Sequence, residues 1–344
     1  MTADGPVVLD ESVAIWAARL VAPARTVDAV EVAALRASVT ADLPRVDAAA
    51  RAWSQLGRDL PPTECRVIGR IGWVRANLTA MRGAFAPLGE KMRGNRVIAS
   101  RVLGAQFGAL LGLLSTKVLG QFVLPFGGPG GGQLVLVGPN LLDLAEEHGD
   151  LASDIRRTVL LHEITHRLQF DGTDWLGEHL QGLLERYLSA ARIDPAALLE
   201  AAGKLPQAIA AVRASGSILP LVETVLTDEQ VAVVDEAQGL MSLLEGHGNA
   251  AMFGGGDGVI ERPGDVREAL ESRKGDATTR ILTAIAGLEL KRRQYREGES
   301  FVQTVLDERG VVGLNRAFAG PANLPTVAEV RDPHAWLARV ADAS

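Results

Sequence analysis

Two of the six histidines stand four residues apart in the run Leu160-Leu161-His162-Glu163-Ile164-Thr165-His166-Arg167-Leu168-Gln169-Phe170. On a helix that spacing turns the second side chain only about 40° from the first, so both imidazoles leave one face and can reach a single cation. Glu163 lies about 100° round from His162. A carboxylate there is poorly placed to be a third ligand from the same turn, but it can hold a water made acidic by zinc. The pattern predicts a zinc site with His162 and His166 as ligands and Glu163 as general base. The competing account of so short a motif is a solvated glutamate beside two packed histidines, and the apolar surroundings weigh against it.

A helix is expected to carry the motif. Ser153-Asp154 reads as its start, Ile155, Val159, Leu160, Leu161, Ile164 and Leu168 supply apolar positions, and Asp171-Gly172 ends it. Tetrahedral zinc needs a further protein ligand, expected from a later helix. His148 lies in a turn-like stretch, His179 belongs to the following helix, and His334 follows Pro333 near the C-terminus. The remaining stretch is Met241-Ser242-Leu243-Leu244-Glu245-Gly246-His247-Gly248-Asn249, where small residues allow another helix to approach closely. Glu245 is preferred as third ligand because it continues the register of Val231, Val234, Ala237, Met241 and Leu244. His247 stays open as the alternative, or as a donor that polarises the water or the substrate carbonyl. A frayed helix end with solvated polar groups is the plain alternative for the whole run.

These residues resemble a known family. The motif run, paired with Ser242-Leu243-Leu244-Glu245-Gly246-His247, is similar to the actinobacterial zincin-like metallopeptidases, which carry labels such as hydrolase or deazaflavin-cofactor-biosynthesis protein. The resemblance extends to Trp73-Val74-Arg75-Ala76-Asn77, to Arg293-Gln294-Tyr295-Arg296-Glu297-Gly298, and to Leu324-Pro325-Thr326 with Asp332-Pro333-His334-Ala335-Trp336. It implies a mainly α, gluzincin-like protein that binds zinc through His162, His166 and Glu245 and uses Glu163 as base. One departure is that a Val-Met-Asp-like continuation is replaced by Ala250-Ala251-Met252-Phe253-Gly254-Gly255-Gly256, so the supporting acid is missing.

The 344 residues are expected to form one large domain, with an N-terminal helical part (about 10–125) packed on a zinc-site part (about 126–344). A net charge of −7 leaves no basic footprint for nucleic acid. Scarce aromatics with abundant Ala, Leu and Gly favour close-packed helices over a sandwich of strands. Cys65 stands alone, which fits a reducing compartment. The N-terminus lacks a basic segment followed by an apolar one, so a cytoplasmic protein is expected.

Along the chain, Asp10-Glu11-Ser12 opens a helix that Pro23 ends, residues 26–40 and 44–56 read as two further helices, and Thr63 to about Phe85 reads as one longer helix. Trp73 and Arg75 are expected to serve packing and surface. Glycines every fourth residue in Gly104-Ala105-Gln106-Phe107-Gly108-Ala109-Leu110-Leu111-Gly112 leave a groove for a neighbouring helix. Gln106, Ser115, Thr116 and Lys117 keep this run short of the roughly 18–20 apolar residues a membrane span needs. After the turn at 126–132, residues 133–138 form the strongest strand pattern, expected to lie at a sheet edge beside the motif helix and to pair with extended substrate. An ordinary buried hairpin arm is the alternative.

Further on, Trp175 to about Ile193 is amphipathic, Asp194-Pro195 starts a short helix that Gly203 ends, and Thr227-Asp228-Glu229-Gln230 is a capping box for the helix leading to Glu245. The remainder, roughly 264–342, reads as helical. Lys291-Arg292-Arg293 is read as a solvated face. Tyr295 is read as a packed tyrosine, or as a donor to a tetrahedral oxyanion if its helix folds back over the site.

The expected activity is metal-assisted amide hydrolysis, in which zinc acidifies a water and Glu163 moves its proton to the leaving amine. Two rivals are a non-catalytic zinc site closed by a fourth protein ligand such as His247 in a partner-binding protein, and a hydrolase of small-molecule amides.

Overall fold

The computed structural model describes residues 8–85, 95–126, 131–190, 228–272 and 294–342. It is mainly helical around a three-stranded sheet. In chain order the elements are α1 (Glu11–Val21), α2 (Ala29–Ser54), β1 (Cys65–Ile68), α3 (Arg70–Met81), α4 (Arg96–Ser115), β2 (Gly120–Val123) and β3 (Gln133–Val137). They continue with α5 (Gly138–His148), α6 (Ala152–Asp171), α7 (Leu176–Ala190), α8 (Asp228–Gly254), α9 (Pro263–Ser272), α10 (Gln294–Leu314), α11 (Val327–Arg331) and α12 (Pro333–Asp342).

The strand order is β1-β3-β2, with β1 parallel and β2 antiparallel to β3. The pattern at 133–138 is therefore a strand, but it holds the centre of the sheet and not its edge. Four successive β3 residues, Leu134 to Val137, are buried, as in a strand covered on both faces. Leu134 and Leu136 enter a core with α2 and α6, whereas Val135 and Val137 enter another with α1, α3 and α4. A third core gathers α8, α10 and the C-terminal helices around Phe301 and Trp336.

Several expected boundaries move. The stretch from Thr63 is not one helix, because Cys65–Ile68 pairs in parallel with Leu134–Val137 and Gly69 turns the chain into α3. Residues 26–40 and 44–56 merge into α2, which runs straight through Pro44. Ser153-Asp154 does not cap α6, which starts at Ala152. The Asp154 carboxylate instead accepts from the backbone N–H groups of Glu261 and Arg262, at 3.1 and 2.9 Å, tying α6 to the approach to α9.

The groove along α4 is used as its glycines predict. A Cβ at Gly108 would lie 2.0 Å from the Ala14 carbonyl oxygen, and one at Gly104 would lie 2.5 Å from that of Asp10, so α1 rests directly on the α4 backbone. Among the described helices α4 alone is long and apolar enough to cross a membrane, and 44% of its most apolar stretch is buried within the fold.

The expected helix after Asp194-Pro195, the Thr227 cap, Lys291-Arg292-Arg293 and most of the glycine turn before β3 lie outside the described residues.

Candidate metal centre and active site

Every residue of α6 from Thr158 to Gln169 is buried, so this helix runs through the middle of the fold. Two of its hydroxyls are satisfied within the helix itself. The Thr158 and Thr165 hydroxyls donate to the carbonyls of Asp154 and Leu161, both at 2.7 Å. Arg167 donates to Thr63 Oγ1 at 2.6 Å and to the Pro61 carbonyl at 2.9 Å, which fixes α6 to the segment leading into β1. The motif helix is held on both sides before any cation is considered.

The rings of His162 and His166 meet edge to face with centroids 4.5 Å apart, and their Nε2 atoms stand 3.0 Å from each other. Helix α8 brings the Glu245 carboxylate to the same point, with Oε2 3.5 Å from His162 Nε2 and Oε1 3.7 Å from His166 Nε2. One ligand atom from each of the three lies within 4.8 Å of the others. A tetrahedral zinc with bonds of about 2.1 Å separates its ligand atoms by about 3.4 Å, so the observed separations straddle the spacing zinc requires. Two imidazole nitrogens and a carboxylate also suit zinc better than magnesium or calcium. The residues present therefore fit the metal.

The close approach of α8 to α6 depends on Gly248. A Cβ there would lie 2.9 Å from both Cε1 and Nδ1 of His162 and 3.3 Å from Cε1 of His166. On the opposite side of α8, Gly246 meets Gly298 of α10, whose carbonyl oxygen would lie 2.7 Å from an added Cβ. The small residues around Glu245 thus admit two helices, one on each side.

Glu163 stands apart from the three-residue group. Its Oε2 accepts from the Phe122 backbone N–H at 3.0 Å, on β2. The phase of the ladder explains this contact. Val137 N–H donates to the Leu119 carbonyl, so Leu119, Gln121 and Val123 turn their backbone groups to β3, while Gly120 and Phe122 turn theirs away, towards α6. The strand edge beside the motif helix is therefore β2. A Cβ at Gly120 would lie 2.8 Å from Glu163 Cγ, which makes this glycine part of the carboxylate's seat. Burial pushes the nearby Cys65 thiol up to about 12, and the Glu163 charge adds to the rise.

His247 is fully buried and turned away from the Nε2 pair, with Nδ1 2.9 Å from Gln169 Nε2. Its ring sits between Trp53 and Phe318, at centroid distances of 5.1 and 5.3 Å. Burial brings its pKa down to about 3, with neighbouring His166 adding to the fall and Asn315 opposing it, so the imidazole is neutral. Tyr295 belongs to the first turn of α10, and its side chain lies outside the described residues. The other histidines engage elsewhere. His148 lies 3.9 Å from Glu147, His179 3.6 Å from Glu236, and His334 3.1 Å from Glu308.

Gln169, Gly120 and the Phe122 amide were not anticipated from the sequence. Gln169 lies three residues past His166, on the same helix face, and that spacing is the one signal that could have found it.

A family model for zincin-like metallopeptidases matches residues 9–337. A solved protein from Chloroflexus aurantiacus, provisionally described as a hydrolase with a novel fold, is 28% identical with a TM-score of 0.71, over 96% of this chain and 98% of that one. None of the curated proteins compared with the chain matches it. With its buried His-His-Glu group carried on two helices, the chain belongs to the zincin-like metallopeptidase family.

Proposed function

We propose that the protein is a zinc-dependent amide hydrolase, most simply a metallopeptidase, with His162, His166 and Glu245 as metal ligands and Glu163 as general base. The observation that carries this reading is the convergence of those three buried side chains, with Glu163 next to His162 in the chain and its carboxylate fixed by the Phe122 amide. Zinc bound there supplies Lewis acidity to a water molecule and to the scissile carbonyl. The Phe122 N–H stabilises the ionised form of Glu163, and that carboxylate takes the water's proton and delivers it to the leaving nitrogen. Neutral His247, held by Gln169, supports the ligands from behind.

Two features bear on substrate class. Family membership favours a peptide substrate, although the β2 edge beside Glu163 is turned to α6 and its Phe122 N–H is taken by that carboxylate. Glu163 and Glu245 keep only 5% and 3% exposure, which favours the second reading, a compact amide such as an acylated small molecule of the kind a cofactor pathway would handle.

The first test is metal content of the purified protein beside His162→Ala, followed by hydrolysis of peptide libraries and of acylated small amides. Near-stoichiometric zinc in the parent, its loss in the variant, and turnover abolished by Glu163→Gln support the reading. A parent without bound zinc after zinc loading would sink it.

A further inference from the structure

Gln169 joins the two helices that carry the proposed ligands. His166 Nδ1 lies 2.8 Å from its Oε1, and its Nε2 lies 3.1 Å from the Leu244 carbonyl and 2.9 Å from His247 Nδ1. All of these residues are buried, and Gln169 itself has no exposure. The Leu244 carbonyl can only accept, so it fixes which end of the amide faces α8: the NH2 group donates there, and the carbonyl oxygen faces His166. An oxygen that can only accept, opposite Nδ1, requires the proton on Nδ1. The lone pair of His166 is then at Nε2, the atom that faces His162 Nε2 and Glu245.

We propose that Gln169 is a positioning residue that sets the tautomer of His166 and, through the Leu244 carbonyl next to Glu245, the register of α8 against α6. This rests on the metal-site reading above for its consequence, although the tautomer itself is a property of the metal-free protein. The same amide thus performs two tasks. It presents one ligand's lone pair, and it holds the backbone that carries another. A donor on the outer nitrogen of a ligating histidine typically changes metal affinity about 10- to 100-fold when lost.

The test uses the full chain with Gln169→Met and Gln169→Glu. Methionine removes both the acceptor for His166 and the donor to Leu244, whereas glutamate keeps the acceptor and loses the donor. In the metal-free parent, nitrogen-15 NMR of labelled histidines, assigned with a His166→Gln control, is expected to show His166 as the Nδ1–H tautomer. Gln169→Met should shift it towards Nε2–H, and Gln169→Glu should not. Zinc affinity by chelator competition is expected to fall about 10- to 100-fold in Gln169→Met and by less in Gln169→Glu, which keeps the acceptor for His166 but loses the hold on the Leu244 carbonyl. His166 found as Nε2–H in the parent, or unchanged in Gln169→Met, would overturn the proposal, as would equal losses of zinc affinity in both variants that track their metal-free melting points. A parent whose tautomer behaves as expected but which binds no zinc would sink the metal-site reading while leaving the tautomer assignment standing.

Discussion

The backbone amide of Phe122 donates to Glu163 Oε2 at 3.0 Å, joining an outward-facing position of the edge strand β2 to the acid of the motif helix. A main-chain donor cannot be removed by changing a side chain, and it favours a carboxylate over a carboxylic acid. The proposed base is therefore held in place by the sheet.

Glu163→Gln follows from that contact. The glutamine Oε1 can still accept from Phe122, and its volume is nearly that of glutamate, so the fold should be retained with a melting point within about 2 °C of the parent's. The variant should hold the same zinc, because Glu163 is outside the three-residue group. Hydrolysis should fall about 100- to 10,000-fold, the usual worth of a positioned proton acceptor. Initial rates and metal content on one preparation check both, and a variant as fast as the parent would remove Glu163 from the chemistry.

Gly248→Ala should injure the centre without touching a proposed ligand. Its new methyl would stand 2.9 Å from ring atoms of His162, and that ring is buried and cannot swing aside without leaving Glu245. Helix α8 must move outward instead, at about 1–3 kcal/mol for the overpacking. Zinc affinity should drop and the metal-dependent gain in melting temperature should shrink. Chelator competition that returned the parent's affinity would mean that α6 and α8 tolerate a wider spacing.

The site was more legible in the sequence than the sheet around it. His162, Glu163 and His166 are local, and helical spacing alone fixes their relation. The stretch around Glu245 could be singled out because its small residues mark a close helix crossing, with helical register favouring Glu245 within it, and Gly246 and Gly248 prove to contact α10 and α6 respectively. The strand Cys65–Ile68 was hidden because Val67 falls in helical register with Ile71, Val74 and Leu78. Only its parallel pairing with β3, a long-range contact, decides the conformation. The same pairing puts β3 in the middle of the sheet and leaves the edge to β2, whose four residues Gly120 to Val123 have no pattern long enough to read.

Gly108→Ala separates fold from function. The added Cβ would overlap the Ala14 backbone, with the carbonyl oxygen at 2.0 Å and Cα at 2.4 Å, and a backbone cannot rotate out of the way as a side chain can. We expect destabilisation of about 3 kcal/mol, read from the denaturation midpoint. Below that transition zinc affinity should equal the parent's, since α1 and α4 pack on the sheet face opposite α6. A midpoint equal to the parent's would show that α1 does not rest on α4 this closely in solution.

Cys65 gives a pH-dependent reading of the same region. Its thiol is raised from 9.0 to about 12, first by burial and then by the Glu163 charge, so at pH 8 the folded protein holds about a thousandfold less thiolate than the unfolded chain. Alkylation by iodoacetamide at pH 8 should be slower in the native protein by at least that factor and become fast on denaturation. Because the folded value lies above the unfolded one, the stability linked to this group is fully present below pH 9 and is lost as the pH rises towards 12. In Glu163→Gln the second cause disappears while the first remains, so native alkylation should quicken without reaching the denatured rate. Native alkylation as fast as that of the denatured chain would mean that Cys65 and the adjoining carboxylate seat are open to solvent.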